Sequence, residues 1–155
     1  MPVPIHGADG LRTHANRSLG ASAWREMTFE RIVAFADATG DHQWIHVDRE
    51  RIAAESPFGA PIAHGYLTLS LVAGLFFEVV EIGGMKMVIN YGTNKVRFPH
   101  PLKEGARYRL ALALGDVAEK GGGWIEAIFV ASIEIEGADK PACVAEVVYR
   151  FLPGA

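Results

Sequence analysis

Hydrophobic positions along the chain follow two periods. Phe29, Ile32, Val33 and Ala36 recur at helical spacing and predict an amphipathic helix over 29–38. Thr28 has the chemistry to cap its first turn, Glu30 suits the positive end of its dipole, and Gly40 suits a left-handed turn at its close. From Met85 onward the period becomes two. Tyr108, Leu110, Leu112 and Leu114 alternate with Arg107 and Arg109, and Ile125, Ala127, Phe129, Ala131 and Ile133 alternate with Glu126, Ser132 and Glu134. Cys143, Ala145, Val147, Tyr149 and Phe151 repeat the pattern, and glycines at 121–123 and 137 fall where hairpins would turn. Four long antiparallel strands are expected.

The segment Tyr66 to Ile82 fits neither pattern, because apolar residues take nearly every angular position. A helix there would be buried on all sides. Shorter elements are a helix after Asp9, a strand over 23–27 and a helix from Asp48, as cap, through Ala54. Asp41 to His46 reads as a polar loop, and Ser56 to Ile62, with proline and glycine, as irregular. Helices followed by strands, with one buried helix in front of the sheet, give an α+β architecture. No repeat, low-complexity tract or linker divides the chain, so one domain is expected over 1–155, with 1–19 as an N-terminal extension.

The chain has 155 residues, of which 50% are hydrophobic and 21% charged, which sets aside general disorder. A net charge of −3 leaves no basic field for a phosphate backbone, so nucleic acid is not an expected partner. One cysteine, Cys143, forms neither an intrachain disulfide nor a thiolate metal site. The most apolar stretch, Leu67 to Val80, is interrupted by Glu78 and falls short of the ~20 residues of a membrane span. The first ten residues lack the basic and apolar regions of a secretory signal. A cytoplasmic domain without a membrane partner is expected.

Two polar clusters flank the apolar segment: Thr39-Gly40-Asp41-His42-Gln43-Trp44-Ile45-His46 and Pro61-Ile62-Ala63-His64-Gly65-Tyr66. On one continuous helix Asp41 and His46 would diverge by about 140°, so their convergence needs a turning loop. A carboxylate and an imidazole on one spot can hold a water and manage its protons near neutrality. The competing reading makes Asp41 a turn residue and His46 a satisfied buried histidine. His42 and His46 with Asp48 invite a metal, but the loop character of the segment opposes it and no metal or other cofactor is expected. Ser56 and Ser70 lack a nucleophile-elbow setting, and Cys143 falls on a strand as a small buried hydrophobe. Gly65 opens the apolar segment, where free backbone N–H groups could meet an oxyanion, or where helix and sheet simply pack closely.

With both clusters placed, the chain resembles the MaoC-type dehydratases, the family of R-specific enoyl-CoA hydratases. Its motif runs roughly aromatic-x-x-small-[Ser/Thr]-Gly-Asp-x-Asn-Pro-aliphatic-His. The chain matches at Phe35, Thr39-Gly40-Asp41, Ile45 and His46, with Gln43-Trp44 in place of Asn-Pro. That variant, and the stretch Asn90-Tyr91-Gly92-Thr93-Asn94-Lys95-Val96-Arg97-Phe98-Pro99, are similar to the nodulation-protein-N-like branch. Pro61-Ile62-Ala63-His64-Gly65 matches a second signature, and the resemblance covers about residues 20–152.

The resemblance implies a hot-dog fold, an antiparallel sheet wrapped around a long central helix, and a homodimer. It implies Asp41 and His46 as catalytic pair, Gly65 as oxyanion donor, and reversible syn hydration of a trans-2-enoyl-CoA to the (3R)-hydroxyacyl-CoA. Gln43, His64, Tyr66, Asn90, Lys95 and Arg97 are candidates for contacts to this acyl-CoA thioester. Ala73 replaces a serine that many members carry before the glycine matching Gly74. An orienting hydrogen bond to the aspartate would then come from Gln43 or Asn90. Two other functions compete. A hot-dog thioesterase would place its acid on the central helix, where only Glu78 and Glu81 are available, both late. A non-catalytic acyl-CoA-binding subunit would have no use for the Asp41/His46 pair.

Overall fold

The computed structural model describes residues Met1–Gly154. The chain begins with β1 (Val3–His6), α1 (Gly7–His14), β2 (Arg17–Ala21) and β3 (Arg25–Glu26). It continues through α2 (Phe29–Thr39), α3 (Trp44–Val47), α4 (Arg49–Glu55) and α5 (Gly65–Val79). It ends with β4 (Val80–Gly83), β5 (Met85–Arg97), β6 (Arg107–Glu119), β7 (Ile125–Ile135) and β8 (Cys143–Pro153). The main sheet is antiparallel in the order β2-β6-β7-β8-β5, with β3 also paired to β6. It curls around α5, which is the hot-dog arrangement of an α+β domain. Phe76 on α5 meets Phe129 of β7 and Tyr149 of β8 at ring-centroid distances of 4.9 and 4.8 Å, inside a buried cluster that runs the length of the helix.

The helix α2 follows its sequence signals. Thr28 Oγ1 accepts from Arg31 N–H, and Gly40 closes the helix at φ 78°, a conformation that costs glycine little. The strand expected over 23–27 contracts to Arg25–Glu26, and the first helix begins at Gly7, before Asp9.

Two expectations for the central segment need correction. The helix stops at Val79 rather than Ile82, because Val80–Gly83 pairs in parallel with Val3–His6. The β-branched Val79, Val80 and Ile82 suit a strand once that partner is present. The N-terminal segment is also part of the core, since Ile5, Leu11 and Leu19 are buried. Burial of α5 is not all-round in the single chain. Leu67, Val72, Leu75, Phe76 and Val79 face the sheet, whereas Tyr66 and Phe77 are 74% and 56% exposed, with Ala73 and Gly74 open between them.

Candidate active site

Asp41 to Gln43 leave α2 as a loop, but the expected loop does not continue to His46. Trp44–Val47 forms one helical turn, α3, and that turn swings His46 back toward Asp41. One carboxylate oxygen of Asp41, one ring nitrogen of His46 and one of His64 lie within 4.8 Å of one another. Asp41 is exposed at the rim, while His46 and His64 are buried. The peptide N–H of Gln43 donates to Asp41 Oδ1 at 3.3 Å, so this residue contributes through its backbone to holding the carboxylate.

The two histidines are held by backbone carbonyls. His46 Nδ1–H donates to Ile62 C=O at 2.6 Å, which leaves Nε2 as the ring's free nitrogen. His64 Nε2–H donates to Asp41 C=O at 2.9 Å, and its Nδ1 has no partner among the described residues. An unpaired buried acceptor costs about 1–3 kcal/mol, a cost that tends to persist where function requires the group. The rings stack with centroids 3.8 Å apart and planes 25° from parallel. Burial lowers the His46 pKa from its ordinary value; the Ile62 carbonyl opposes this, the His64 ring adds to it, and the Asp41 charge opposes it.

This cluster has the residue types of a metal site but not its geometry. An ion about 2.0–2.1 Å from both imidazole nitrogens must lie in both ring planes. Rings stacked at 3.8 Å and 25° have planes that do not meet within that reach. The His42/His46/Asp48 grouping is dispersed as well. His42 Nε2 pairs with Asp37 at 2.7 Å, a contact that raises its pKa, and Asp48 caps α4 by accepting from Arg51 N–H.

Gly65 is the first residue of α5, and no side chain caps that helix start. Its first N–H groups therefore lack intrahelical partners. A Cβ at Gly65 would come within 3.0 Å of the Phe98 ring, so close packing also requires glycine here. A cavity of about 350 Å³ opens beside it, bounded by His46, Gly65, Ile45, Phe58, Phe98 and Leu102. Asp41 stands outside that lining. Phe98 was not anticipated as a site residue; its only sequence signal is its place in the Arg97-Phe98-Pro99 stretch.

The remaining candidates are dispersed. Tyr66 meets Phe98 edge-on at 6.4 Å and is largely exposed. Asn90 lines a groove of about 170 Å³ with Ser70, Ala73 and Tyr149, not the His46 cavity. Lys95 pairs with Glu146 at 2.9 Å, and Arg97 donates to the neighbouring Val96 C=O. Cys143 is buried, and burial pushes its thiol up to about 11, as suits a packing residue.

A family model described as MaoC like domain matches residues 11–126. The chain is 48% identical over 142 residues to 3-hydroxyacyl-thioester dehydratase Z of Mycobacterium tuberculosis, covering 92% of this chain and 93% of that one. It is 42% identical over 140 residues to Nodulation protein N of Rhizobium leguminosarum, covering 88% and 87%. Among solved structures, a monoamine oxidase regulatory protein from Archaeoglobus superposes with a TM-score of 0.76 at 22% identity, over 88% and 89% of the chains. An (R)-hydratase from A. caviae involved in PHA biosynthesis gives 0.68 at 23%, over 84% and 93%. Fold and relatives together define a hot-dog enzyme of the hydro-lyase class. The chain belongs to the MaoC-like dehydratase family. No helix among the described residues is long and apolar enough to cross a membrane.

Proposed function

We propose that the protein is an (R)-specific enoyl-CoA hydratase, adding water reversibly to a trans-2-enoyl-CoA to give the (3R)-hydroxyacyl-CoA. The observation that carries this reading is the meeting of the Asp41 carboxylate and the His46 imidazole beside a cavity that Gly65 opens. In the hydration direction Asp41 orients a water by accepting one of its hydrogens. His46 Nε2, free because Nδ1–H is committed to Ile62, takes the other as the water oxygen bonds to C3. The C2–C3 π electrons move toward the thioester, whose oxygen gains charge opposite Gly65 N–H. Oxyanion donors of this kind contribute about 2.7–4 kcal/mol each. The imidazolium then returns its proton to C2 on the same face, completing syn addition. The lowered His46 pKa favours that return.

The apolar wall formed by Ile45, Phe58 and Leu102 suits an acyl chain, and Tyr66 lies edge-on to Phe98 of the same lining. Arg97 is the stronger candidate for the CoA phosphates, because Lys95 is already paired with Glu146. Thioester hydrolysis has less support: Glu78, the acid on α5, pairs with Arg25 at 2.6 Å in a separate groove. The functional unit in this reading is a homodimer. β5 is an edge strand whose Met87, Ile89 and Tyr91 are exposed, and α5 shows Tyr66 and Phe77. An exposed apolar strand edge and helix face favour a self-complementary contact. Phe77→Asp should shift the mass in solution light scattering from dimer to monomer.

The test of the activity is a panel of trans-2-enoyl-CoAs from C4 to C16, with chiral analysis of the product. Accumulation of the (3R) alcohol supports the reading. Absence of hydration across the panel, or a (3S) product, overturns it.

A further inference from the structure

His64 belongs to the site by position, yet neither the water nor the thioester has an evident use for it. It is absent from the cavity lining and only 3% exposed. Its three links point elsewhere. Nε2–H holds the main-chain carbonyl of Asp41 at 2.9 Å, across 23 residues of sequence. The ring stacks on His46 at 3.8 Å, and the Phe35 ring of α2 packs against it, tilted, at 5.0 Å. Its backbone is the N-cap of α5, directly before Gly65, and its C=O accepts the first helical bond from Thr68 N–H. A helix N-cap histidine whose side chain leaves the helix uncapped, and turns instead to another loop, is spent on that loop.

We propose that His64 is the positioning residue of the site, the one side chain that ties the Asp41 loop, the His46 ring and the Gly65 helix start into a fixed arrangement. This rests on the hydratase reading above and assigns His64 no contact with substrate. Without the Nε2–H bond, the Asp41 loop would be anchored to α5 by no hydrogen bond from this side chain. Without the ring, His46 would lose the surface that fixes its tilt and keep only the bond to Ile62. Nδ1, buried and unpartnered, marks a group retained for a geometric task rather than for its own hydrogen bonding.

The arrangement also bears on protonation of His46. The titratable groups facing that ring are Asp41 on the loop and His64 at the start of α5, with His100 on the same cavity wall, its Nδ1–H donating to Pro101 C=O. His64 opposes charge on His46 and Asp41 favours it. Removing the His64 imidazole therefore moves the His46 titration to higher pH. That direction holds whether His46 acts first as base or as acid.

The experiment compares His64→Phe, which keeps a stacked ring and removes the donor, with His64→Gln, whose amide N–H can reach the Nε2 position. In His64→Phe, kcat should fall about 10- to 100-fold, the scale of a small misplacement of reacting groups, with KM changed less than about threefold on the same scale. His64→Gln should restore a substantial part of kcat. The His46 titration, read by NMR of ring-labelled protein without substrate, should move upward in both variants. A raised KM with unchanged kcat would make His64 a substrate contact and overturn the proposal, as would kcat and titration both at wild-type values. If His64→Phe fails to fold, the His46 titration in His64→Gln decides, and a wild-type titration there overturns the proposal. If wild type hydrates no enoyl-CoA, the hydratase reading falls, while an unmoved His46 titration is what counts against His64.

Discussion

The sheet and the corner at the start of α5 are built by opposite rules. In β6, β7 and β8 one periodic pattern is repeated strand after strand, and the inward residues Leu110, Leu112, Phe129, Ala131, Val147 and Phe151 share one core. Charged residues on the outer face pair across strands, as Arg109 with Glu134 and Arg150 with Glu126 do. Such a structure is redundant, since each residue has many neighbours doing the same task. The corner has no such redundancy. Asp41, His46, His64 and Gly65 come from separate turns and are held by single hydrogen bonds and one stacked pair. Stability therefore resides mainly in the first region and the geometry of the proposed active site in the second, and substitutions should separate the two.

The largest separation is expected from the sheet. Phe129→Ala removes a fully buried ring that touches Phe76 and Tyr149 and should cost about 3–5 kcal/mol in denaturant unfolding. Turnover per folded molecule should stay within a factor of about two, a barrier change of about 0.4 kcal/mol. A proportionate fall in both would mean the two regions are not separable. At the corner, Gly65→Ala drives a methyl against Phe98 and should destabilise by about 1–3 kcal/mol. Adding Phe98→Leu should relieve most of that cost. If the pair is no better than the single variant, the ring is not what excludes a side chain at Gly65.

A smaller effect is expected from pH. The folded-state pKa of His46 lies below its unfolded value near 6.5, so the unfolded chain binds its proton first on acidification. The stability this histidine contributes is complete above about 6.5 and declines as pH falls from there to its folded pKa. Chemical denaturation at pH 7.5 and 5.5 should show the loss, and His46→Gln should lessen it. The smallest effect is a null one. Cys143, with its thiol raised to about 11, should resist alkylation at pH 8 in the folded protein and react once it is unfolded.

The difference between the regions also explains what the sequence made legible. Alternation at 107–114 and 125–135 identified the strands because each inward residue meets the same environment two positions on. The caps Thr28 and Asp48 and the left-handed Gly40 were readable for the same reason, being local chemistry. The end of α5 was not, because Val80–Gly83 becomes a strand only through Val3–His6, 77 residues away in the chain, and nothing local announces that pairing. The exposed stripe Tyr66, Ala73 and Phe77 was hidden because hydrophobicity alone does not say which apolar face a single chain covers. At the site, motif spacing marked Asp41, His46 and Gly65, and the turn needed to join the first two is supplied by α3. The stacking of His64 on His46 and the packing of Phe98 on Gly65 are contacts between distant segments, and no spacing rule contains them. Asn90, singled out as a stand-in for the missing serine at Ala73, does lie beside Ala73, but in a groove apart from the His46 cavity.

The central claim is that the Asp41 carboxylate, paired with His46, performs hydration at this corner. Its most direct test is the initial rate of loss of the conjugated-thioester absorbance of crotonyl-CoA, or of the best enoyl-CoA in the panel, for wild type and Asp41→Asn side by side. Asp41 is exposed and its side chain accepts one hydrogen bond among the described residues, so the variant should unfold at the wild-type denaturant concentration. The account predicts a rate lower by about 10²–10⁴-fold in a folded protein. A folded Asp41→Asn variant hydrating at the wild-type rate would contradict it.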